Sequence, residues 1–314
     1  MKFIHLILCV SLLIACKKDK EASIKENKLE ETQNDFKTKT DIKALGTYAF
    51  STAEDIETTY KKLKSILTQN KNVGIVAELN HTKNAKSVGI NLNPTQAIFF
   101  GNPKLGTPLM QVNPLTGLDL PQKMLFLENE RSNQIVYNDM AYLNQRYALD
   151  NHPNLTTINN TLESLVKKIS GASSVEHKAF EISENQGIIT KKSAQDFDTT
   201  LDKLMSLLQN HEALKVIATL DHQANAKKVD MELAPSFLVV FGNPKMGSPL
   251  MQTTQSIALD LPQKMLVWEN ANGDVFVSYN NIYFIQERYQ LKGHEDILKN
   301  ISSALDKISS KVTE

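Results

Sequence analysis

Leu118-Asp119-Leu120-Pro121-Gln122-Lys123-Met124-Leu125 occurs a second time, without a change, at residues 259–266. A shift of 141 residues also lays Phe100-Gly101-Asn102-Pro103-Lys104 on an identical stretch at 241–245, and 37 of the 79 positions from 51 to 129 are identical under this shift. Similarity of a chain to itself at a fixed period indicates that one structural unit is encoded twice. Beyond residue 129 the shift becomes 142, and the additional residue falls at Asn272-Gly273, a dipeptide typical of a tight hairpin turn.

The periodicity of apolar residues predicts the same elements in both copies. Thr52-Ala53-Glu54-Asp55 and Ser193-Ala194-Gln195-Asp196 resemble capping boxes, which predicts that a helix begins at each. Strand-like runs follow at 73–79, 97–100, 124–127 and 135–137, and at 214–220, 237–241, 265–268 and 275–279. Helical patterns end the copies at 140–147 and 155–169, and at 282–289 and 296–312. Hairpins and long connections both occur, so the predicted fold class is α+β, with one sheet backed by helices in each copy.

The start of the chain resembles a bacterial lipoprotein signal. Lys2 precedes an apolar run from Phe3 to Ile14, which is too short to span a bilayer as a helix. Leu13-Ile14-Ala15-Cys16 resembles a lipobox, which implies cleavage after residue 15 and acylation of Cys16 by chains such as palmitate. The alternatives are an ordinary cleaved signal and a short membrane anchor.

We therefore expect four segments: a signal peptide at 1–15, a flexible tether at 16–43, a first repeat domain at 44–172 and a second at 173–314. The tether is rich in charged and polar residues and has no apolar periodicity. The expected location is the cell envelope, with the protein lipid-anchored to a bacterial membrane, by preference the periplasmic or surface face of the outer membrane.

Cysteine usage and net charge exclude several classes of function. Cys9 and Cys16 are the two cysteines, so cleavage and acylation would leave the folded part without a free thiol. Structural disulfides, cysteine nucleophiles and cysteine-ligated zinc are then excluded. The chain has 35 basic and 35 acidic side chains, and this balance argues against a nucleic-acid partner, which usually needs a basic face.

Four long motifs, at residues 220–227, 241–252, 258–269 and 277–281, resemble the domain of unknown function 302 (DUF 302) family. The resemblance covers nearly all of residues 44–150 and 187–291. It implies a fold similar to the TATA-binding protein, a curved antiparallel sheet with helices on one side. It also implies that two units associate, so the tandem copies would pair within the chain. The first copy departs from the motifs at Asn80, opposite Asp221, and at Asn91, opposite Glu232; the family has no assigned activity.

Two histidines of the repeats match between the copies, His81 and His222, each followed by an asparagine at +3, Asn84 and Asn225. A histidine with a near-neutral pKa could act as a general base or contact a metal or an anion. The alternative is a histidine that caps a helix or fills a polar junction.

Other matched residues offer weaker candidates. The Gly-Asn-Pro-Lys motif, with Lys104 and Lys245, predicts a loop whose amides and ammonium group contact an anion, or else a rigid turn. Asp119 and Asp260 lie between leucines, which favours a fold-holding pair with Lys123, Lys264, Arg146 or Arg288 over a perturbed site acid. Met110 and Met251 could bind monovalent copper beside histidine, although filling the core is the commoner use of methionine.

The function we expect is a non-enzymatic binding or interaction module without a cofactor. Its cleft would lie near His222, Asn225, Lys245 and Asp260, with an equivalent near His81, Asn84, Lys104 and Asp119 in the first copy. The partner would be a small anionic ligand or another envelope protein. One alternative is a metal-independent hydrolase or isomerase that uses His222 with Asp221, and another is a metal-handling protein that uses histidine and methionine.

Overall fold

A computed structural model describes residues 44–129, 132–171 and 174–314. The signal peptide, Cys16 and the tether lie outside these described residues. Within them, no helix combines the length and the apolar character that crossing a bilayer requires.

The first copy forms one antiparallel sheet with helices packed against it. Its elements are β1 (Thr47–Thr52), α1 (Ile56–Gln69), β2 (Gly74–Asn80), α2 (His81–Lys86), β3 (Thr95–Gly101), α3 (Pro103–Val112), a 3-10 helix (Pro114–Leu118), β4 (Gln122–Glu128), β5 (Asn133–Asn138), α4 (Met140–Tyr147), α5 (Pro153–Ser170) and β6 (Ser174–Lys178).

The second copy repeats this order. Its elements are β7 (Ile188–Lys192), α6 (Phe197–Gln209), β8 (Lys215–Asp221), α7 (His222–Lys227), β9 (Ser236–Gly242), α8 (Pro244–Thr253), a 3-10 helix (Gln255–Leu259), β10 (Gln263–Glu269), β11 (Val275–Asn280), α9 (Ile282–Arg288) and α10 (Glu295–Thr313).

Both sheets are antiparallel, and five strands of the first sheet have the same order as the five strands of the second, while β6 is added at one edge of the first. The first runs β2-β3-β4-β5-β1-β6 and the second β8-β9-β10-β11-β7. The predicted α+β class is therefore confirmed, and the central strands β4 and β10 are almost wholly buried, as their continuous apolar sequence indicates. The hairpin between β10 and β11 turns at Gly273, whose φ of +79° is one that glycine adopts without strain.

The structure differs from the sequence-based expectation at several borders. The helices predicted to start at Thr52 and Ser193 are capped three residues later, where Asp55 and Asp196 accept hydrogen bonds from the amides of Thr58 and Thr199. Strands β1 and β7 were not expected, and β1 includes Thr52. The boundary expected at 172/173 precedes β6, yet β6 pairs with β1, so the first sheet extends past that boundary.

Candidate functional site

Each repeated histidine begins a short helix at the end of an edge strand. The residue before it is the N-cap: Asn80 Oδ1 accepts from the Lys83 amide at 2.8 Å, and Asp221 Oδ1 accepts from the Ala224 amide at 2.8 Å. Asparagine and aspartate cap helices about equally well. The difference between the copies at this position therefore preserves the same local role.

The Gly-Asn-Pro-Lys motif begins a helix and is not the loop that we expected. Asn102 and Asn243 are N-caps, and the following proline occupies the first turn of α3 or α8. Asparagine followed by proline is the sequence signal for this arrangement, because proline at the first helical position has no amide hydrogen that needs an intrahelical partner. Each cap oxygen accepts from the amide of the lysine, at 3.0 Å from Lys104 and 2.9 Å from Lys245.

The histidines reach from one copy into the other. His222 Nε2 lies 3.2 Å from the carbonyl oxygen of Gly117 in the first copy. His81 is the matched residue and faces Ala258, the counterpart of Gly117, although its Nε2 makes no hydrogen bond of normal geometry. A carbonyl oxygen can only accept, so the neutral His222 ring carries its hydrogen on Nε2 and its lone pair on Nδ1.

Both imidazoles are neutral at physiological pH. Burial lowers the pKa of His81 and of His222 to about 4, and the neighbouring backbone carbonyl opposes this shift only in part. The near-neutral pKa expected from sequence is therefore wrong, because desolvation disfavours the imidazolium form. A neutral ring offers one donor and one acceptor and adds no charge for an anion.

Two equivalent cavities lie at the ends of the sheets. Pocket one, about 300 Å³, has walls from β2, β3, α3, α5 and the segment Leu120–Gln122, and it is completed by Leu220, His222 and Asn225 of the second copy. Pocket two, about 350 Å³, has the matching walls in the second copy and is completed by His81 and Asn84 of the first. Each copy therefore contributes its histidine and asparagine to the pocket of the other copy.

The pocket walls contain polar groups that lack partners. Both polar atoms of the Gln122 side chain and Oγ1 of Thr107 are closed to solvent and unbonded in the wall of pocket one. In pocket two the same holds for Nε2 of Gln263 and Oγ of Ser248, which are the matched positions. Buried polar side chains are nearly always hydrogen-bonded, so a matched pair of exceptions calls for an explanation.

The acids Asp119 and Asp260 lie elsewhere, in a buried group of charges between the copies. This charge cluster consists of Asp119, Lys123, Arg146, Asp260, Lys264 and Arg288. Its shortest lysine contact crosses the copies, from Lys123 Nζ to Asp260 Oδ1 at 2.6 Å, and Lys264 Nζ lies 3.2 Å from Asp119 Oδ1. The fold-holding role that the sequence favours is what these contacts provide.

Each arginine of the charge cluster bridges the copies in the same way. Arg288 donates to Asp260 of its own copy at 2.6 Å and to Asn138 Oδ1 of the other at 2.8 Å. Its guanidinium carbon lies 4.0 Å from the ring centre of Tyr142, also in the first copy. Arg146 repeats these contacts with Asp119, Asn280 and Phe284.

The charge cluster has more cations than anions. Burial alone would raise the pKa of Asp119, but Lys264, Lys123 and Arg146 outweigh burial and hold that pKa well below its usual range. Asp260 behaves in the same way. Burial and the adjacent Lys123 ammonium lower the pKa of Lys264 to about 8. Of the two neighbouring lysines, Lys264 has the lowered pKa because its shortest contact with a carboxylate, 3.2 Å, is longer than the 2.6 Å contact of Lys123.

The structure thus divides the residues that the sequence grouped into one cleft in each copy. His222 and Asn225 line pocket one, and His81 and Asn84 line pocket two. Asp119 and Asp260 belong to the charge cluster, while Lys104 and Lys245 lie outside both pocket walls. The sequence could not show this division, because it gives no information on which copy's loop each histidine faces.

Each pocket is lined by a methionine and a histidine, whose thioether and imidazole groups suit soft metal ions. Met110 shares pocket one with His222, and Met251 shares pocket two with His81. Among the residues that the structure describes, no three His, Cys, Asp or Glu side chains come close enough together to hold a metal ion.

Comparison with known proteins agrees with the duplication. The family model for the domain of unknown function DUF302 matches residues 48–170 and again residues 189–308. The chain belongs to this family, as the sequence motifs indicated, and carries two copies of its domain. No activity comes with the family.

The relatives and the solved structure that follow each align with a part of this chain that is no longer than one copy. The fluoride-specific ion channel FluC 1 of Brucella suis is 31% identical over 113 residues, which are 36% of this chain and 44% of that protein. FluC 2 of Brucella melitensis is 31% identical over 113 residues and 42% of its length. The chain thus spans less than half of these relatives. A crystal structure of an uncharacterized DUF302 protein from Bacillus stearothermophilus aligns over 41% of this chain and 96% of that one, with 15% identity and a TM-score of 0.34.

Proposed function

We propose that this protein is a lipid-anchored binding protein of the cell envelope that holds small molecules in pocket one and pocket two and carries out no chemistry on them. The observation that carries this proposal is the pair of equivalent cavities whose walls contain matched, buried polar groups without partners. A largely apolar cavity with a few convergent polar groups is the usual form of a small-molecule site.

The missing hydrogen bonds support occupancy of the pockets. An unpaired buried polar group destabilises a fold by about 1–3 kcal/mol, and the two pockets repeat this at Gln122 and Gln263. A ligand could complete these hydrogen bonds if the terminal amide turned toward the cavity that the residue lines. The free energy lost in the empty protein would then be recovered on binding.

The hydrolase or isomerase alternative has less support. A general base needs a third group that orients it, and Asp221 was the candidate. Its carboxylate instead caps α7 through the Ala224 amide. The low pKa of His222 also makes it a weak base.

Pocket-filling variants test the proposal. Gly106 and Gly247 lie in helices α3 and α8 and line the two pockets, and a Cβ added at Gly106 would first meet a leucine side chain at 3.4 Å. Gly106→Leu and Gly247→Leu should fill one pocket each, with a gain in helix propensity. Each variant is the control for the other.

The assay is thermal unfolding of the full chain in detergent against a library of small molecules. A ligand at 100 times its Kd stabilises the native state by about 2.7 kcal/mol. We expect compounds that raise the Tm of the natural chain, raise it less in each single variant and have no effect on the double variant. Tm shifts that persist in the double variant, or a library without any stabilising compound, would reject the pocket function.

The envelope location has its own test. Cys16→Ser removes the acylation point and should release the chain from the membrane fraction and abolish incorporation of labelled palmitate. Retention of the label in Cys16→Ser would show that the lipid is attached elsewhere or that the label reports another protein.

Binding of monovalent copper is a second candidate function. It is favoured because Met110 and His222, from opposite copies, both line pocket one, and Met251 and His81 both line pocket two. Thioether and imidazole are ligands suited to this ion. Anaerobic competition with bicinchoninate should then show two ions per chain, and one after Met110→Leu; failure of the protein to compete would exclude this function.

A further inference from the structure

The pockets are uncharged, and this property narrows the class of ligand. No Lys, Arg, Asp or Glu lines either pocket as the structure describes it. A carboxylate or ammonium group placed there would lose its hydration without gaining a counter-charge, which is strongly unfavourable. The sequence predicts a small anionic ligand that contacts Lys104 and Lys245. Neither lysine lines a pocket, so an anion there would have no positive side chain to pair with.

The helix ends at the pockets do not replace those charges. Anions bind at helix N-termini through free backbone amides. The Asn102 side chain already accepts from the Lys104 amide in α3, and Asn243 does the same in α8. The first turns of both helices therefore use their own caps.

The unpartnered carboxamide defines a complementary ligand edge. The terminal amide of Gln122 carries a donor and an acceptor side by side, both closed to solvent and without partners, whereas in pocket two this holds for the Nε2 donor of Gln263. Each amide must therefore turn toward its pocket to reach a ligand. The matching edge has one acceptor and one donor in the same plane, as in a primary amide or a lactam. His222 adds an acceptor, since its Nε2–H is committed to Gly117 and Nδ1 keeps the lone pair.

Much of the remaining wall is apolar. In pocket one it includes Phe100, Leu105, Met110, Ile158 and Leu162. Pocket two has the matched residues Phe241, Met246 and Met251, together with Ile301 and Leu305. A ligand that fills about 300 Å³ against these side chains needs an apolar body in addition to its polar edge.

We infer that each pocket selects an uncharged molecule in which a primary amide or lactam edge is joined to an apolar body, with Gln122 or Gln263 as the specificity-determining residue. This inference rests on the proposed binding function. It places the amide edge against the glutamine and a second N–H of the ligand near the histidine of the other copy.

Four probes built on one fluorinated ring separate charge from hydrogen bonding, and three of them carry a planar group of nearly the same shape. They are 4-fluorobenzamide, 4-fluorobenzoate, 4-fluorobenzamidinium and fluorobenzene, followed by ¹⁹F NMR during titration with the full chain in detergent. The Gly106→Leu/Gly247→Leu double variant, in the same detergent, measures partition into micelles and is subtracted. We expect 4-fluorobenzamide to bind at least about tenfold more tightly than either charged probe and several-fold more tightly than fluorobenzene.

Variants of the two glutamines test whether these residues cause the preference for the amide probe. Gln122→Leu should abolish the preference for the amide over fluorobenzene in one site of two, and Gln263→Leu in the other. Equal binding of the benzoate, or of fluorobenzene and the amide, would overturn the ligand class while leaving the pockets as binding sites. If no probe distinguishes the natural chain from the double variant, both this inference and the proposed function are wrong.

Discussion

Replacing Asp260 with asparagine should weaken the fold far more than replacing an exposed aspartate whose ion pair has the same length. Asp260 is 3% exposed and contacts Lys123 and Arg288 at 2.6 Å each, while Tyr289 donates to it at 3.0 Å. Asp260→Asn keeps the shape of the side chain and leaves two buried cations without this counter-charge. Breaking a buried pair from one side costs about 3–5 kcal/mol of unfolding free energy.

Asp306 provides the matched control. Its carboxylate also lies 2.6 Å from a lysine, Lys191, but it is 64% exposed. Exposed pairs contribute at most about 1 kcal/mol, so Asp306→Asn should change little. Urea unfolding of the full chain measures both variants, with the fluorescence of Trp268, the single tryptophan, as the signal.

A double variant identifies the cause. Lys123→Met removes the ammonium that loses its shortest carboxylate contact in Asp260→Asn and keeps only Asp119 at 3.4 Å, so the double variant should be more stable than Asp260→Asn alone by at least about 1 kcal/mol. If Asp260→Asn and Asp306→Asn cost the same, or if Lys123→Met adds its full cost to that of Asp260→Asn, the charge cluster does not hold the copies together as described.

Three other predictions follow from the described contacts. Lys264 has a pKa of about 8 in the fold and a higher one when unfolded, so the unfolded chain binds more protons between these values. Stability should therefore rise by about 1–2 kcal/mol from pH 7.5 to 9.5, as measured by urea unfolding, and this rise should vanish in Lys264→Met. Gln122→Leu removes a buried group without partners and should stabilise the empty protein by about 1 kcal/mol in calorimetry, whereas a loss of stability would mean that the amide is satisfied. Asn80→Asp should leave the Tm nearly unchanged and Asn80→Ala should cost about 1 kcal/mol, because Asn80 acts as an N-cap; equal effects would contradict the capping role.

Much of the fold follows from the sequence because both copies repeat the same local signals. Apolar periodicity is sufficient for α1, and the continuous apolar runs of β4 and β10 indicate strands covered on both faces. The helices of six residues that begin at His81 and His222 were missed because they have too few turns to show a period. The sequence assigns Thr52 to a helix start because it resembles a cap, yet Thr52 ends β1 and Asp55 is the cap.

The candidate site was predictable only in part. Matching of the copies selects His81, His222, Asp119 and Asp260 without further information. It cannot show that a histidine of one copy serves the pocket of the other, since this depends on how the sheets meet. The structure also explains why asparagine at position 91 can stand opposite glutamate at 232. Both residues contact the other copy through their backbone carbonyls, which accept from Gln252 and Gln111 at 2.6 Å each, so this contact does not depend on the side chain.

The most direct test of the two-pocket account is a crystal structure of the chain grown with 4-bromobenzamide, in which anomalous scattering locates the bromine atoms. The account predicts two bromine peaks per chain, one in each pocket, with the amide of the probe hydrogen-bonded to Gln122 in one and to Gln263 in the other. Bromine found only on the surface, or pockets left empty at saturating probe, would contradict it.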